Sequence, residues 1–296
     1  MFVSALIGLF VAIWFYATAQ GIEFLITAIL LISGIYGIGV IRLWRNAGWG
    51  CGIPVWRAAC FLMGILLVAF TLTGPLDELA DQAFSMHMLQ HVLLLKVAAP
   101  LLLLGEFTPV FLWAIGRTNA HRASLGWTRS WVGRFWNWLI TPWCAWTLYG
   151  LCLWVWHVPA FYQAALKSES LHSFEHFLFL GTALLFWGYL LQPGRQRLIR
   201  YGTAVLYLFT TLLHESILGA LLTFSSQTWY PFYSASSFMG LTPLGDQQLA
   251  GVIMWLPGGI LFTLLMVVYF GLWLRMIEKG MPGTQTTFVR TGDGNG

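Results

Sequence analysis

Charge is what this chain has least of. Only 9% of its 296 residues are Asp, Glu, Lys or Arg, while 58% are hydrophobic; soluble domains carry about a quarter charged residues, so a water-exposed globular fold is excluded. Cysteine is also sparse. Cys51, Cys60, Cys144 and Cys152 show no C-x-x-C spacing, and the first two fall toward the side where thiols stay reduced, so no disulfide is expected. Internal repeats, low-complexity tracts and a polar stretch long enough for a soluble domain are missing as well. A single transmembrane domain over residues 1–280 must carry the function, and residues 281–296 read as a mobile cytoplasmic tail.

Apolar runs are what the chain has instead. Crossing about 30 Å of hydrocarbon takes ~20 helical residues, and runs of that kind occur near 2–19, 22–41, 55–73, 85–104, 138–157, 172–191, 201–223 and 247–274. The first lacks the basic start and small-x-small cleavage site of a signal peptide, and is read as a helix. The expected fold is therefore all-α, a polytopic membrane bundle of about eight helices. Arg42, Arg45, Arg57, Arg117, Arg122, Arg129, Arg134, Arg195, Arg197, Arg200, Arg275, Lys279 and Arg290 all follow even-numbered spans. Cations accumulate in cytoplasmic loops, which places both termini in the cytoplasm. Glu23, Asp77, Glu78, Asp81, Glu169, Glu175 and Asp246 lie on the opposite side. The basic balance reflects this asymmetry, and no nucleic-acid partner is expected.

Six of the seven histidines share that opposite, outer half. His87 and His91 are four apart after Ser85, a candidate helix cap; His172 and His176 repeat the spacing with Glu175 beside them. Residues four apart project from one helix face, so each pair can share a metal. His157 stands at the outer end of span five before Pro159, and His214 lies about ten residues below the outer end of span seven. Counting 1.5 Å per residue gives two layers: His87, His157 and His172 within about 5 Å of the surface, and His91, His176 and His214 roughly 9–15 Å down. Met254 falls about 12 Å in, one heptad below Gln247. Imidazole with thioether leans toward copper, as Cu(I), over zinc or iron. Glu175, Asp246 and Gln247 are candidates for groups that orient the ligands. Met86 and Met88 flank the entrance. The bland alternative for each histidine alone is an interfacial anchor, and His121, among arginines, takes that reading.

Lys96 and Glu215 sit near mid-membrane, where a buried charge is tolerated chiefly when paired, and they are expected to form a structural ion pair. Lys96 is about 140° round an ideal helix from His91 and should lie off the histidine face. Pro100 and Pro257-Gly258-Gly259 predict kinks below the histidines. Gly34, Gly37 and Gly39 would permit a close helix contact. The stretch from Phe224 to Gly245, with Trp229, Tyr230, Phe232, Tyr233 and Phe238, reads as an interfacial aromatic lid or a surface for another membrane protein.

Several ordered motifs together resemble one family. They are Phe84-Ser85-Met86-His87-Met88-Leu89-Gln90-His91, then Ala98-Ala99-Pro100 through Gly105, Trp156-His157-Val158-Pro159-Ala160, Ser170-Leu171-His172 with His176, Leu218 to Phe224, and Asp246 to Gly258. Over roughly residues 50 to 275 the chain is similar to the multi-spanning CtaG family of cytochrome c oxidase assembly factors, not to the single-span copper chaperone that sometimes shares the name. The resemblance implies a multi-pass protein of the bacterial cytoplasmic membrane that helps mature a haem–copper oxidase. The implied activity is supply of copper to the oxidase's histidine-ligated centre, with no catalysis. It also implies an oxidase subunit and the lipid bilayer as partners, with a periplasmic copper donor upstream. Two other classes stay open on the residues alone: a membrane metalloenzyme, whether zinc hydrolase or diiron oxygenase, and a haem-binding cytochrome.

Overall fold

The structure, a computed structural model, describes residues 22–115, 130–191, 197–233 and 238–280. The run expected at 2–19, His121, Arg117, Arg122, Arg129, Arg195, Arg290 and the tail 281–296 lie outside these. All regular elements described are helical. In chain order they are α1 (Ile22–Ala47), α2 (Val55–Thr73), α3 (Pro75–Gln82), α4 (Phe84–Leu93), a π-helical turn (Leu94–Ala98), α5 (Ala99–Leu104), α6 (Phe107–Ile115), α7 (Trp131–Leu139), α8 (Pro142–Trp156), α9 (Pro159–Leu166), α10 (Glu169–Leu191), α11 (Arg197–Thr223) and α12 (Pro243–Gly280). Among the described residues six helices are long and apolar enough to cross a membrane, with α4 to α5 taken as one. A seventh span is made if α7 and α8, bent by 71°, count together. The eighth expected from the sequence is the run at 2–19, outside the described residues.

Local chemistry explains the breaks. Pro142 and Pro159 each sit in the first turn of a helix, where a missing N–H costs nothing, and Pro159 separates α8 from α9 two residues after His157. Pro100 cannot donate to the carbonyl of Lys96, and its ring would press on that carbonyl. The chain responds by widening one turn just upstream, so that Ala99 N–H bonds Leu94 O five residues back. The wider turn opens the Leu95 carbonyl to a side chain, and the Trp187 indole N–H donates to it at 2.8 Å. It also turns Lys96 from its ideal-helix direction, and Lys96 lines the same cavity as His91. The expectation that Lys96 lies off the histidine face assumes an unbroken α-helix.

Ser85 does not cap α4. The cap position belongs to Ala83, and the Ser85 hydroxyl is buried without a partner. The first N–H groups of α4 are satisfied from a distant part of the chain: Asp246, at the start of α12, accepts from Phe84 N at 2.7 Å and Ser85 N at 3.3 Å. A carboxylate at a helix N-terminus gains both hydrogen bonds and the helix dipole. Asp246→Ala should therefore cost about 1–2 kcal/mol, with Asp246→Asn recovering most of it, read as thermal unfolding in detergent. Equal melting of Asp246→Ala and wild type would remove the cap from the account.

Two apolar clusters hold the bundle. The larger joins α4, α5, α8, α10, α11 and α12 through residues including Phe84, Met88, Tyr149, Phe179, Phe186, Leu208, Met254 and Phe262. The smaller packs α1, α2 and α6 around Tyr36, Phe61, Phe107 and Val110. Of the three glycines in α1, only Gly39 meets a neighbour, the backbone of Val110 in α6, where a Cβ would collide. The continuous helix α12 runs through Pro257. Its Gly258 is required by the buried ion pair described below, since a Cβ there would collide with the Lys96 ammonium.

Candidate metal centre

The two i, i+4 histidine pairs face each other. The α4 rings of His87 and His91 lie 4.4 Å apart, as do the α10 rings of His172 and His176. Between helices, His87 approaches His172 at 5.0 Å and His176 at 5.9 Å, and His91 approaches His176 at 5.1 Å between ring centroids. Glu175 points into the same space, with Oε1 3.9 Å from His91 Nε2. One donor atom each from His87, His91 and His176 lies within 4.8 Å of the others, and the same holds for His87, His172 and Glu175. The two sequence-derived layers are therefore merged: His87 and His172 of the outer layer join His91 and His176 of the inner one in a single four-histidine cluster.

The cluster is largely buried and short of hydrogen-bond partners. His87 and Glu175 are 0% exposed, His91 3% and His176 4%. His87 Nε2, both ring nitrogens of His91, His172 Nε2, His176 Nε2 and both oxygens of Glu175 are buried without a hydrogen-bond partner. Buried polar atoms are paired in the great majority of cases, because an unpaired one costs about 1–3 kcal/mol. Orphaned nitrogens of four histidines, gathered with the Glu175 carboxylate, form a donor set that fits a cation.

A tyrosine layer closes the outer side. Tyr233 donates to Ala80 O at 3.0 Å, and its oxygen lies 3.5 Å from His87 Nδ1 and 3.4 Å from the Tyr162 hydroxyl. Burial pushes both tyrosine hydroxyls above their ordinary range, so Tyr233 keeps its one proton, given to Ala80. Its oxygen then accepts from His87 Nδ1–H, which leaves the Nε2 lone pair facing the cluster. The Tyr162 ring packs 5.2 Å from that of His87, and Phe84 packs on Tyr162, Tyr230 and Tyr233. Tyr230 and Tyr233 of the expected lid are buried, whereas Phe232 is exposed. The lid is thus half inserted over the histidines. Sequence reasoning does not identify Tyr162 or Tyr233 as a histidine partner, since an aromatic outside the long helices carries no spacing signal.

The remaining residues separate from the cluster. His157 caps α8, hydrogen-bonds Leu153 O through Nδ1 at 2.7 Å, and brings Nε2 to 3.3 Å from Met88 Sδ. With Met254, Lys96, Glu215 and His91 these residues line a cavity of about 10 Å³. The sequence places Met88 only as a flank of the entrance, although its i, i+3 relation to His91 puts both on one face. His214 belongs to neither group of close donors; its ring faces Trp146 at 5.8 Å and lies against Gly150, with both nitrogens unpartnered. Asp246 caps α4 instead of orienting a histidine. Gln247 accepts from Trp229 N at 2.6 Å and donates to Gln227 O at 3.0 Å, so it anchors the outer loop. Lys96 and Glu215 do pair, at 2.9 Å. Tyr149 donates to Glu215 Oε1 at 2.7 Å and Lys96 donates to Met254 O at 2.9 Å.

Fold and site together define a polytopic helical membrane protein with a buried histidine–carboxylate cluster beneath a tyrosine cover. Residues 34–276 match the family of cytochrome c oxidase caa3 assembly factors, the CtaG family, and the chain belongs to it. Relatives include an uncharacterised protein of Mycobacterium leprae, 26% identical over 89% of this chain and 41% of its own length. Uncharacterised proteins of Mycobacterium bovis and Mycobacterium tuberculosis are each 26% identical over 85% of this chain and 38% of their own length. The chain thus spans about two fifths of the curated relatives it matches. No solved structure matches it.

Proposed function

We propose that this protein serves oxidase assembly by binding copper between α4 and α10 and passing it to the histidine-ligated copper centre of a haem–copper oxidase subunit. The supporting observation is the set of orphaned donors: unpartnered nitrogens of His87, His91 and His176 lie close together, and His87 and His172 share their space with the unpartnered carboxylate of Glu175. The ligand-exchange reading needs no bond-making chemistry, and so no catalytic role. His87 is held with one nitrogen bare by Tyr233, while Glu175 supplies the negative charge that offsets an arriving cation. Metal comes from a donor on the outer face and leaves within the bilayer, where the recipient centre lies. The mycobacterial relatives support a bacterial cytoplasmic membrane as the setting.

Elemental analysis of detergent-purified protein tests this, after loading with copper(I) and separately with zinc, beside His91→Ala/His176→Ala. Stoichiometric copper that the double variant loses is the expected result. Retained zinc or iron in preference to copper would turn the reading to a metalloenzyme, a Soret band to a cytochrome, and no metal at all to a scaffold.

A further inference from the structure

We infer that the cavity between Met88, His157 and Met254 is a second metal site, selective for copper(I), one step inward from the histidine cluster and joined to it through His91. The inference rests on the copper reading above and adds a station with different chemistry.

The first argument is the direction of lone pairs. His157 Nδ1 lies 2.7 Å from the carbonyl of Leu153, which only a protonated Nδ1 can satisfy, so the neutral ring leaves Nε2 bare. That bare nitrogen faces Met88 Sδ at 3.3 Å, an acceptor facing an acceptor. A soft cation between them converts the opposition into two coordinate bonds. Fixing one ring nitrogen on a backbone carbonyl while the other ligates is how metal-binding histidines are commonly oriented. The ring is further held because Tyr230 donates to the His157 carbonyl at 2.8 Å.

Composition and charge set the selectivity. The cavity is lined by two methionines, Met88 and Met254, and two histidines, His157 and His91. Thioether prefers copper(I) over zinc or copper(II). Charge points the same way. Glu215 is neutralised by Lys96 at 2.9 Å, so the floor carries no net negative charge for a dication, in contrast to the outer cluster with Glu175. A volume of about 10 Å³ is at the lower limit for one water and has no room for a hydrated ion. The site takes a bare monovalent ion by exchange of ligands. His91 supplies the exchange, because it borders both sites and both its nitrogens are unpartnered.

The test uses the full chain in detergent, loaded anaerobically with copper(I) and separately with zinc, with stoichiometry by mass spectrometry and ligand type by copper-edge X-ray absorption. Wild type should hold about two copper(I) ions per chain, with sulfur scattering, and about one zinc. Met88→Leu/Met254→Leu, close in volume and so expected to fold, should lose one copper and all sulfur scattering while its zinc binding is unchanged. His172→Ala/His176→Ala should keep one sulfur-ligated copper and lose zinc. Copper bound by nitrogen alone in wild type, or unchanged copper in the methionine variant, would overturn the second site. If the outer reading fails and this one holds, the histidine variant binds copper as wild type does while the methionine variant binds none.

Discussion

Lys96→Met is expected to destabilise the protein by about 3–5 kcal/mol, the cost of leaving a buried charge without its partner, and Glu215→Gln added to it should restore most of the loss. The ion pair is 2.9 Å long, with both side chains at or below 5% exposure. Each partner has one further ligand: Tyr149 donates to Glu215, and Met254 O accepts from Lys96. Removing the lysine strands a buried carboxylate beside Met88, Met254 and Leu153. The double variant carries no charge, and the amide introduced by Glu215→Gln would still accept from Tyr149. Folding yield and detergent melting of the two single variants and the double variant decide the matter. A double variant no better than the worse single one would show that the two residues do not act as a pair.

The second large effect runs in opposite directions for stability and binding. Glu175→Gln should lower copper(I) affinity by about 10–100-fold, measured by competition with a chromophoric chelator, while the metal-free protein melts no lower than wild type. A carboxylate with two unpartnered buried oxygens costs the metal-free state free energy that a neutral amide largely avoids. A metal ion reverses that balance, because the same charge then compensates the ion. Lower stability with unchanged affinity would make Glu175 a structural residue and remove it from the site.

Much of this is legible in the chain because helical spacing and hydrocarbon thickness are strong constraints. The run 55–73 is α2 residue for residue, and the H-x-x-x-H pairs predict the faces that meet. Lys96 and Glu215 are legible as a pair since an unpaired charge at that depth is intolerable. Other features are not, because residue counting measures depth only. His214 falls in the same inner layer as His91 by residue count, yet its ring faces Trp146 and Gly150 of α8. Asp246 and Gln247 are adjacent on α12, yet one reaches α4 and the other the outer loop. A proline such as Pro100 within a helix permits a kink or a widened turn alike, and contact with Trp187 goes with the second.

Asp246 has a mechanical consequence. α12 grips the span begun by α4 at two heights, through its carboxylate on Phe84 and Ser85 and through the Met254 carbonyl on Lys96 in the π-helical turn. His87, His91, Met88 and Met254 are thereby mounted on one stiff frame, whereas His172, Glu175 and His176 ride on α10. The four-histidine cluster spans the seam between α4 and α10, and any parting of that seam would divide it two against two. An ion held there would lose half its ligands at once and keep those that stand beside Met88 and Met254.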